Sequence, residues 1–504
     1  MRKIVLSLFI LGLVVRSWYF LYPLGRSAFL TVDEAVYGIQ SLQILRGLRP
    51  VFYPAQVYTG SFSAYLTALL FFFGGFHPVL LKIVPYLFSN VFILLNYFLA
   101  KAVFQKRITA VMALTISALG TPFWNNWSSR AGTGYVETSA FGSLMMIMAL
   151  RLVAGHDSKR KKVLLFFLLG FLSGLGFWIQ PTIVYYLAPI LLYLLVSYRG
   201  LFRQWASLFL PLGFLIGDLP VVIYNFSRDF PTTQTLFRLP WGVKSAFLKF
   251  VFEGLPVILG VRTSNSRLDF FTPLALFVET LALSAIAYFS YKVLRNLWHS
   301  FKSKSFSVTP PVLVFLVFYS TVIFFLLSTP FNQFSIEPRY TFALYSTLPL
   351  ILAFMLSKLW ERKRLFFVIF SAFYLVNWGL GLFLANPLTF GDRYRVESLG
   401  TYLKNNSLPY LIADPALGHR VMFYSKLGVS AEVRGGGITQ GRFPEFNQKV
   451  INIRDADNFA VGFITVKGSN FEKDFEREIR SFVGELFVRD VVDEDFVVFR
   501  PLRH

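Results

Sequence analysis

The stretch FLTVDEAVYGIQSLQILRG, residues 29–47, follows directly on the first hydrophobic segment of the chain. Its apolar residues recur every three or four positions, which predicts an amphipathic helix. Thr31 and Glu34 have the spacing of a capping box, with Thr31 as the N-cap. Asp33 would then lie in the first turn, where the helix dipole favours a carboxylate. The two adjacent acids are therefore either helix-terminal charges or candidate catalytic groups, with Asp33 as the candidate general base.

The composition is that of a protein built in a membrane. Of the 504 residues, 55% are hydrophobic and only 15% are charged, and apolar runs of spanning length recur along the chain. Cysteine is absent, which excludes disulfides and thiolate metal sites. The net charge of +22 comes from basic residues that cluster between the apolar runs, a pattern typical of cytosolic loops rather than of nucleic-acid binding. We predict a multi-pass α-helical membrane protein.

The apolar runs predict about eleven membrane spans. The first, residues 4–24, follows three residues with two positive charges and is not followed by a small-residue cleavage site, so we expect an uncleaved helix with a cytosolic N-terminus. Residues 61–75 are too short to span and predict a helix that lies on or dips into the outer surface. The remaining spans are expected at about 79–103, 108–124, 134–154, 163–180, 182–198, 206–224, 271–291, 310–328, 341–357 and 365–385.

The turns between these spans alternate in charge. Basic residues concentrate in the turns near residues 106–107, 159–162 and 199–203, whereas the turn at 125–133 carries only Arg130. Because basic loops mark the cytosolic side, the long loops 25–78 and 225–270 are expected outside.

From about residue 386 the composition changes to that of a soluble domain. Segments 409–414, 428–433, 459–466 and 495–499 have the pattern of strands, and segments 445–454 and 471–483 have that of helices. The predicted organisation is a membrane core, residues 1–385, and a small extracytoplasmic C-terminal α/β domain, residues 386–504.

Charged residues at the outer ends of spans are further candidates, because charge at a membrane boundary is costly. Arg130 and Glu137 fall within SSRAGTGYVETSAFG, residues 128–142, and either bind substrate or only pair two helices. Arg339, within IEPRY, either binds substrate, snorkels to the interface or pairs with Glu337.

Two acids and several arginines on one outer surface suit a reaction on an anionic lipid, since Arg clamps phosphate and Asp accepts a proton from a hydroxyl. The chain has no P-loop, Rossmann glycine fingerprint, HExxH zinc motif or Ser-His-Asp set, and none of its five His has metal spacing to another. Nothing in the sequence requires a metal or another cofactor. The competing class is a transporter or lipid flippase, which usually carries ionisable residues near the bilayer midplane.

Four stretches, taken in order, resemble a known family. They are VDEAVYGIQSLQILRG (32–47), VFYPAQVYTGSFSAYLTALLFFFGG (51–75), SSRAGTGYVETSAFG (128–142) and GFLSGLGFWIQPTIVYYLAP (170–189). They resemble a prokaryotic branch of the GT-C glycosyltransferases, in glycosyltransferase family 39 with the protein O-mannosyltransferases and aminoarabinose transferases. The resemblance covers about residues 1–385. VYTGSFS (57–63) stands where the aminoarabinose transferases have a Lys-Pro pair, which counts against the aminoarabinose reaction on lipid A.

The resemblance implies an enzyme of the cell membrane that moves a sugar from a polyprenyl-phosphate donor to a lipid, glycan or protein acceptor on the outer face, with inversion. By position, Asp33 matches the family's general base and Glu34 its neighbouring acid. Glu137 matches an acid on the outer side of the fourth span, and Arg339 a basic residue near the lipid phosphate. The predicted substrate-binding set is completed by Tyr37, Arg130 and Arg262.

Overall fold

The computed structural model describes residues 2–22, 30–132, 134–155, 158–198, 200–236, 247–262, 272–302, 308–327, 338–384, 396–435, 442–456, 460–483 and 487–502. These residues are mostly helical, with a five-stranded sheet near the C-terminus. The chain divides into two compact units. The first comprises Met1–Tyr22, Tyr58–Gly60 and Pro85–Asn386, and the second comprises Pro23–Val57, Ser61–Val84 and Pro387–His504.

The α-helices of the described residues are, in chain order, α1 (Arg2–Leu21), α2 (Val32–Leu45), α3 (Phe62–Gly74), α4 (Val79–Phe104), α5 (Arg107–Leu119), α6 (Pro122–Trp127), α7 (Tyr135–Ala154), α8 (Lys159–Ile179), α9 (Val184–Ser197), α10 (Phe209–Gly217), α11 (Leu219–Phe226), α12 (Pro231–Leu236), α13 (Leu255–Ile258), α14 (Thr272–Lys302), α15 (Pro311–Leu327), α16 (Leu348–Arg362), α17 (Arg364–Leu384), α18 (Glu397–Asn405), α19 (Gly418–Tyr424), α20 (Pro444–Ala456) and α21 (Asn470–Val483). Short 3₁₀ segments precede α9, α10 and α16, and a π-helical turn precedes α13.

Six of the described helices, α1, α4, α7, α8, α14 and α17, are long and apolar enough to cross a membrane. Two bent pairs of helices raise the number to eight if each pair is one span. The shorter apolar helices α5, Pro181–Ser197 and α15 coincide with three further predicted spans, and α3, at 13 residues, with the predicted short outer helix. The membrane class is therefore confirmed, whereas the total of about eleven spans stays a prediction.

Two predicted spans are not single straight helices. The span expected at 206–224 consists of Trp205–Gly217 and Leu219–Phe226, which meet at an angle of 68°. Pro220, in the first turn of α11, has no N–H for a bond to the preceding turn, which favours the break. The span expected at 341–357 begins with the 3₁₀ segment Pro338–Ser346, bent by 45° against α16.

In the first unit, three side chains satisfy the carbonyl groups at the end of the short helix α5. Arg16 is fully buried and donates to the carbonyl oxygens of residues 117 and 118, each at 2.7 Å. The carbonyl of Leu119 accepts from Asn125 at 2.9 Å and from the indole of Trp378 at 3.1 Å. Because a helix end in an apolar surrounding needs such partners, α5 can stop well short of spanning length.

Glycines bring α8 and α10 of the first unit into backbone contact. A Cβ at Gly170 would lie 2.0 Å from the carbonyl oxygen of Leu210, and one at Gly174 would lie 2.1 Å from that of Phe214. Gly213 and Gly217 meet backbone atoms of α8 in the same way. This spacing of small residues at four-residue intervals is a common device for packing membrane helices.

The C-terminal region of the second unit is the predicted α/β fold. Its strands are β1 (Tyr410–Ala413), β2 (Ser430–Val433), β3 (Gly462–Val466), β4 (Phe487–Val492) and β5 (Phe496–Pro501), in the order β2-β1-β3-β5-β4. The first three strands are parallel, and β5 pairs antiparallel with β3 and β4. The four predicted strands and both predicted helices are present. The sequence pattern did not predict β4, α18 or α19.

The second unit also contains the acid-pair helix α2, which packs against α19 of the C-terminal region. A Cβ at Gly38 would lie 2.3 Å from the ring of Phe423, so glycine is what lets the two helices approach. Gln43 donates to Glu445 at 2.8 Å. The boundary predicted between residues 385 and 386 stays a prediction, but these contacts join α2 and the C-terminal region into a single packed structure.

Candidate active site

The capping box predicted at the start of α2 is confirmed. Thr31 is the N-cap, and its hydroxyl accepts the backbone N–H of Glu34 at 3.3 Å. Oε2 of Glu34 in turn accepts the backbone N–H of Thr31 at 2.9 Å and its hydroxyl at 3.0 Å. These reciprocal bonds fix where α2 begins, and so fix the direction in which Asp33 leaves the helix.

Glu34 has a second partner that the sequence pattern did not predict. Lys82, in the first turn of α4, places Nζ 2.6 Å from Oε1 of Glu34. The two side chains are 7% and 1% exposed. The only indication of this ion pair in the sequence is a single Lys near the start of an apolar helix. A lysine that is buried there needs an anionic partner. Glu34 therefore both caps α2 and forms a buried ion pair with Lys82.

Asp33 points to a different set of groups. Its Oδ1 accepts from Nη1 of Arg442 at 2.7 Å and from the hydroxyl of Tyr53 at 3.2 Å. The side chain of Asp33 is 49% exposed, whereas that of Arg442 is 9% exposed. Arg442 comes from the C-terminal region, 409 residues along the chain, so no pattern in the sequence pointed to this pair. The structure thus separates the two acids: one is buried and one is accessible.

Tyr53 donates to the Asp33 carboxylate, and Tyr37 packs against the ring of Tyr53. Tyr37, a predicted site residue, is buried, and its ring lies 4.6 Å from that of Tyr53. The guanidinium of Arg442 lies over the ring of Tyr53, 5.1 Å from its centre. Burial and then the charge of Asp33 raise the pKa of Tyr53 well above its ordinary value, so its hydroxyl stays protonated and donates.

His419, in the first turn of α19, lies beside this cluster. It is 2% exposed, and its ring lies 5.8 Å from that of Phe443, the residue after Arg442. The pKa of His419 is lowered to about 4, chiefly by burial. The positive charge of Arg442 also lowers this pKa, and the smaller effect of the Asp33 charge raises it. The imidazole is therefore neutral at physiological pH. Its Nδ1 has no hydrogen-bond partner in the described ranges of the chain.

Glu137 and Arg130 lie in the first unit. Glu137 is in the first turn of α7 and is 2% exposed. The helix begins after Gly134, whose φ of +76° is one that side-chain-bearing residues rarely adopt. A Cβ at this position would also lie 2.2 Å from the side chain of Ile179. The guanidinium of Arg130 lies 5.2 Å from the centre of the Trp127 ring. The structure thus places both predicted residues around a glycine-dependent turn.

Arg339 lies in the 3₁₀ segment before α16, with its guanidinium 5.4 Å from the ring centre of Tyr340. Tyr58, which belongs to the same unit, hydrogen-bonds to Tyr340 and lies within the electrostatic range of Arg339. Burial first, then Tyr340, raises the pKa of Tyr58. Glu337, the alternative partner for Arg339, lies outside the described residues. Arg262 donates to the carbonyl of Phe252, in the π-helical turn before α13, at 3.3 Å.

The predicted site residues therefore fall into two groups. Asp33, Glu34 and Tyr37 belong to the second unit, and Arg130, Glu137, Arg262 and Arg339 belong to the first. Across the described ranges, no group of three or more His, Asp or Glu side chains is arranged to hold a metal ion.

Comparison with known proteins identifies the fold. Residues 60–224 match the family model described as dolichyl-phosphate-mannose-protein mannosyltransferase. The chain is similar to ArnT from Cupriavidus metallidurans bound to undecaprenyl phosphate, with a TM-score of 0.66 and 14% identity over 98% of this chain and 97% of the other. No curated protein sequence matches significantly.

A second similar structure is the oligosaccharyltransferase AglB from Archaeoglobus fulgidus, in complex with an inhibitory peptide and a dolichol-phosphate. Its TM-score is 0.51 and its identity 14%, over 92% of this chain and 69% of the other. The similarity to ArnT covers nearly the whole chain, the C-terminal region included. The resemblance predicted from the sequence is therefore confirmed: the chain has the GT-C fold of membrane glycosyltransferases.

Proposed function

We propose that this protein is a membrane glycosyltransferase that moves a sugar from a polyprenyl-phosphate donor to a hydroxyl group of a lipid, glycan or protein acceptor. The main support for the proposal is the different environment of the two acids at the start of α2. Glu34 is buried, caps the helix and pairs with Lys82, whereas the side chain of Asp33 is half-exposed. The GT-C fold and the lipid-phosphate carriers bound to ArnT and AglB support the class of donor.

Asp33 is the general base of the proposed reaction. The acceptor hydroxyl loses its proton to the carboxylate as its oxygen attacks the anomeric carbon of the donor sugar. The bond from that carbon to the phosphate oxygen breaks, and the lipid phosphate leaves with the bonding electrons. A single displacement of this kind inverts the anomeric configuration. A carboxylate within reach of the attacking hydroxyl is a suitable acceptor for its proton.

Arginines of the first unit stabilise the leaving phosphate. Arg339 is proposed for this role because its guanidinium lies 5.4 Å from the ring centre of the buried Tyr340 and interacts electrostatically with the half-buried Tyr58. Phenol hydroxyls and a guanidinium are donors suited to phosphate oxygens. Arg130 and Glu137, at the turn before α7, are proposed to contact the donor sugar or its phosphate. Donors aimed at developing negative charge lower the barrier to its formation.

The proposed location of the site is the outer face of the cell membrane. The alternation of basic turns supports a cytosolic N-terminus and an extracytoplasmic C-terminal region. On that side soluble nucleotide sugars are absent, so a donor carried by a membrane lipid is the available substrate.

The test of this function is a mass-spectrometric comparison of surface glycans and glycoproteins in cells with the wild-type protein, without it, and with Asp33→Asn. We expect at least one glycan to be lost without the protein and to return only with the wild type. Unchanged glycans in all three strains would overturn the proposal. Accumulation of a lipid-linked sugar on the cytosolic leaflet alone would favour a flippase instead.

A further inference from the structure

We propose that Arg442 of the C-terminal region is a positioning residue for Asp33, so that sugar transfer depends on this arginine although it lies far from the acid pair in sequence. The inference rests on the proposed function, in which Asp33 is the base. Arg442 does not correspond to any residue predicted from the sequence, and the family resemblance covered only about residues 1–385. Two donors, Arg442 and Tyr53, meet at Oδ1 of Asp33.

Arg442 reaches Asp33 from an anchored position. The next residue, Phe443, is 4% exposed and packs on the ring of His419, and α20 begins at Pro444. Nη1 of Arg442 donates to both Oδ1 of Asp33 and the hydroxyl of Tyr53. Its guanidinium is held against the face of the Tyr53 ring. The arginine is therefore a buried donor, 9% exposed, and not an exposed surface side chain.

Asp33 needs such a donor. It is in the first turn of α2, where a carboxylate is drawn toward the unsatisfied N–H groups of the helix terminus. A half-exposed side chain there has several staggered rotamers available. Arg442 and Tyr53 both donate to the same oxygen, Oδ1. These two bonds together favour one rotamer of the Asp33 side chain. Because displacement of a reacting group by about 1 Å costs roughly 100-fold in rate, this selection matters for catalysis.

The alternative is that Arg442 only ties the C-terminal region to α2. A purely structural arginine would lower the amount of folded protein and would lower activity to the same degree with or without the Asp33 carboxylate. A positioning arginine acts through that carboxylate, so its removal should have no effect on turnover once the carboxylate is gone. A double-mutant cycle separates these two cases.

The experiment uses the full-length protein purified in detergent or in membranes, with a polyprenyl-phosphate sugar that supports transfer. Arg442→Gln, Arg442→Lys, Asp33→Asn and Asp33→Asn with Arg442→Gln are compared for kcat and for the KM of the donor. We expect Arg442→Gln to lower kcat roughly 10- to 100-fold with the donor KM within about twofold. Arg442→Lys, which keeps the charge, should retain more activity than Arg442→Gln.

The matched control is Arg434→Gln. Arg434 lies in the same region of the chain and pairs with Glu432 and Glu478, so its loss perturbs the same domain without touching Asp33. We expect its kcat to equal that of the wild type. If Arg442→Gln fails to accumulate as folded protein, Tyr53→Phe removes the second donor to Oδ1 with little change in shape. Its effect on kcat should likewise vanish in the Asp33→Asn background.

The outcomes distinguish this inference from the proposed function. If Asp33→Asn transfers sugar at the wild-type rate, the assignment of the base fails. If Asp33→Asn is inactive but Arg442→Gln is fully active, or lowers the residual rate of Asp33→Asn further, the positioning role fails and the base assignment stands. A rise in kcat on removing Arg442 would also overturn the inference, since the contact would then be inhibitory.

Discussion

Lys82 and Glu34 form an ion pair of 2.6 Å between the first turns of α4 and α2, and both side chains are almost fully buried. Glu34 Oε2 simultaneously closes the capping box with Thr31. The pair therefore fixes the start of the acid-pair helix from two sides. Removal of one partner from a buried pair is strongly destabilising, because the remaining charge is left without compensation.

Glu34→Gln should therefore destabilise the protein. The amide can still take part in the cap, but Lys82 is left without its counter-charge. We expect a loss of about 3 kcal/mol or more in the free energy of unfolding, measured as a lower midpoint of thermal unfolding. Glu34→Gln with Lys82→Met should recover some of this loss.

The matched control for that variant is Glu361→Gln, which removes an exposed ion pair with Lys106. An exposed pair contributes little, so its midpoint should stay close to that of the wild type. Equal midpoints for Glu34→Gln and Glu361→Gln would contradict the structural role of the buried pair.

Arg339→Lys should weaken donor use. Lysine keeps the positive charge but loses the planar guanidinium, which lies 5.4 Å from the Tyr340 ring centre and is proposed to contact two phosphate oxygens. We expect a higher KM for the donor, a lower kcat, or both, measured in the transfer assay. Arg364→Lys, at another arginine that contacts an aromatic ring, is the control and should be unchanged. Wild-type kinetics for Arg339→Lys would favour a snorkelling side chain instead.

His419 should make the folded state sensitive to acid. Its pKa is lowered from 6.5 to about 4, chiefly by burial. Below pH 6.5 the unfolded chain therefore binds a proton that the folded protein does not, and the free energy of unfolding falls as the pH is lowered toward 4, by up to about 3 kcal/mol. The neighbouring charges, Arg442 and Asp33, are the other groups that act on the imidazole.

The measurement for His419 is the midpoint of thermal unfolding at pH 7 and pH 4.5 for the wild type and His419→Gln. We expect a smaller drop between the two values for the variant. His299→Gln, at an exposed position on α14, should behave like the wild type. An equal drop in all three proteins would show that His419 is not the group responsible.

The orientation of the chain is predicted from its basic turns. A reporter fused after His504 should be found outside the cytosol, because the alternation of charge places the C-terminal region there. Protease accessibility in intact cells or spheroplasts gives the result independently. A cytosolic reporter would contradict the location proposed for Asp33 and for the outer ends of the spans.

The sequence predicted those features that depend on local patterns. Hydrophobic runs predicted the spanning helices, the spacing of Thr31 and Glu34 predicted the capping box, and alternation predicted four of the five strands. The strand β4, FVRDVV, was missed because its charged residues interrupt the apolar pattern. It pairs along one side with β5 in an edge position, where polar side chains are tolerated.

Features that depend on distant segments of the chain were not predicted. Arg442 is separated from Asp33 by 409 residues, and Lys82 from Glu34 by 48. Each is one basic residue among 49, and composition does not reveal which of them meets an acid. The glycine contact of α2 with Phe423 likewise appears only when the two helices are packed together.

The most direct test of the account is transfer and donor binding measured side by side for Asp33→Asn, with matched amounts of protein in membranes. Asparagine preserves the shape of the side chain but cannot take the acceptor's proton, so transfer should fall by roughly two orders of magnitude or more while the donor still binds. Asp474→Asn, at an exposed aspartate of α21, should leave both unchanged. Transfer by Asp33→Asn at the wild-type rate would contradict the central claim that this carboxylate is the base.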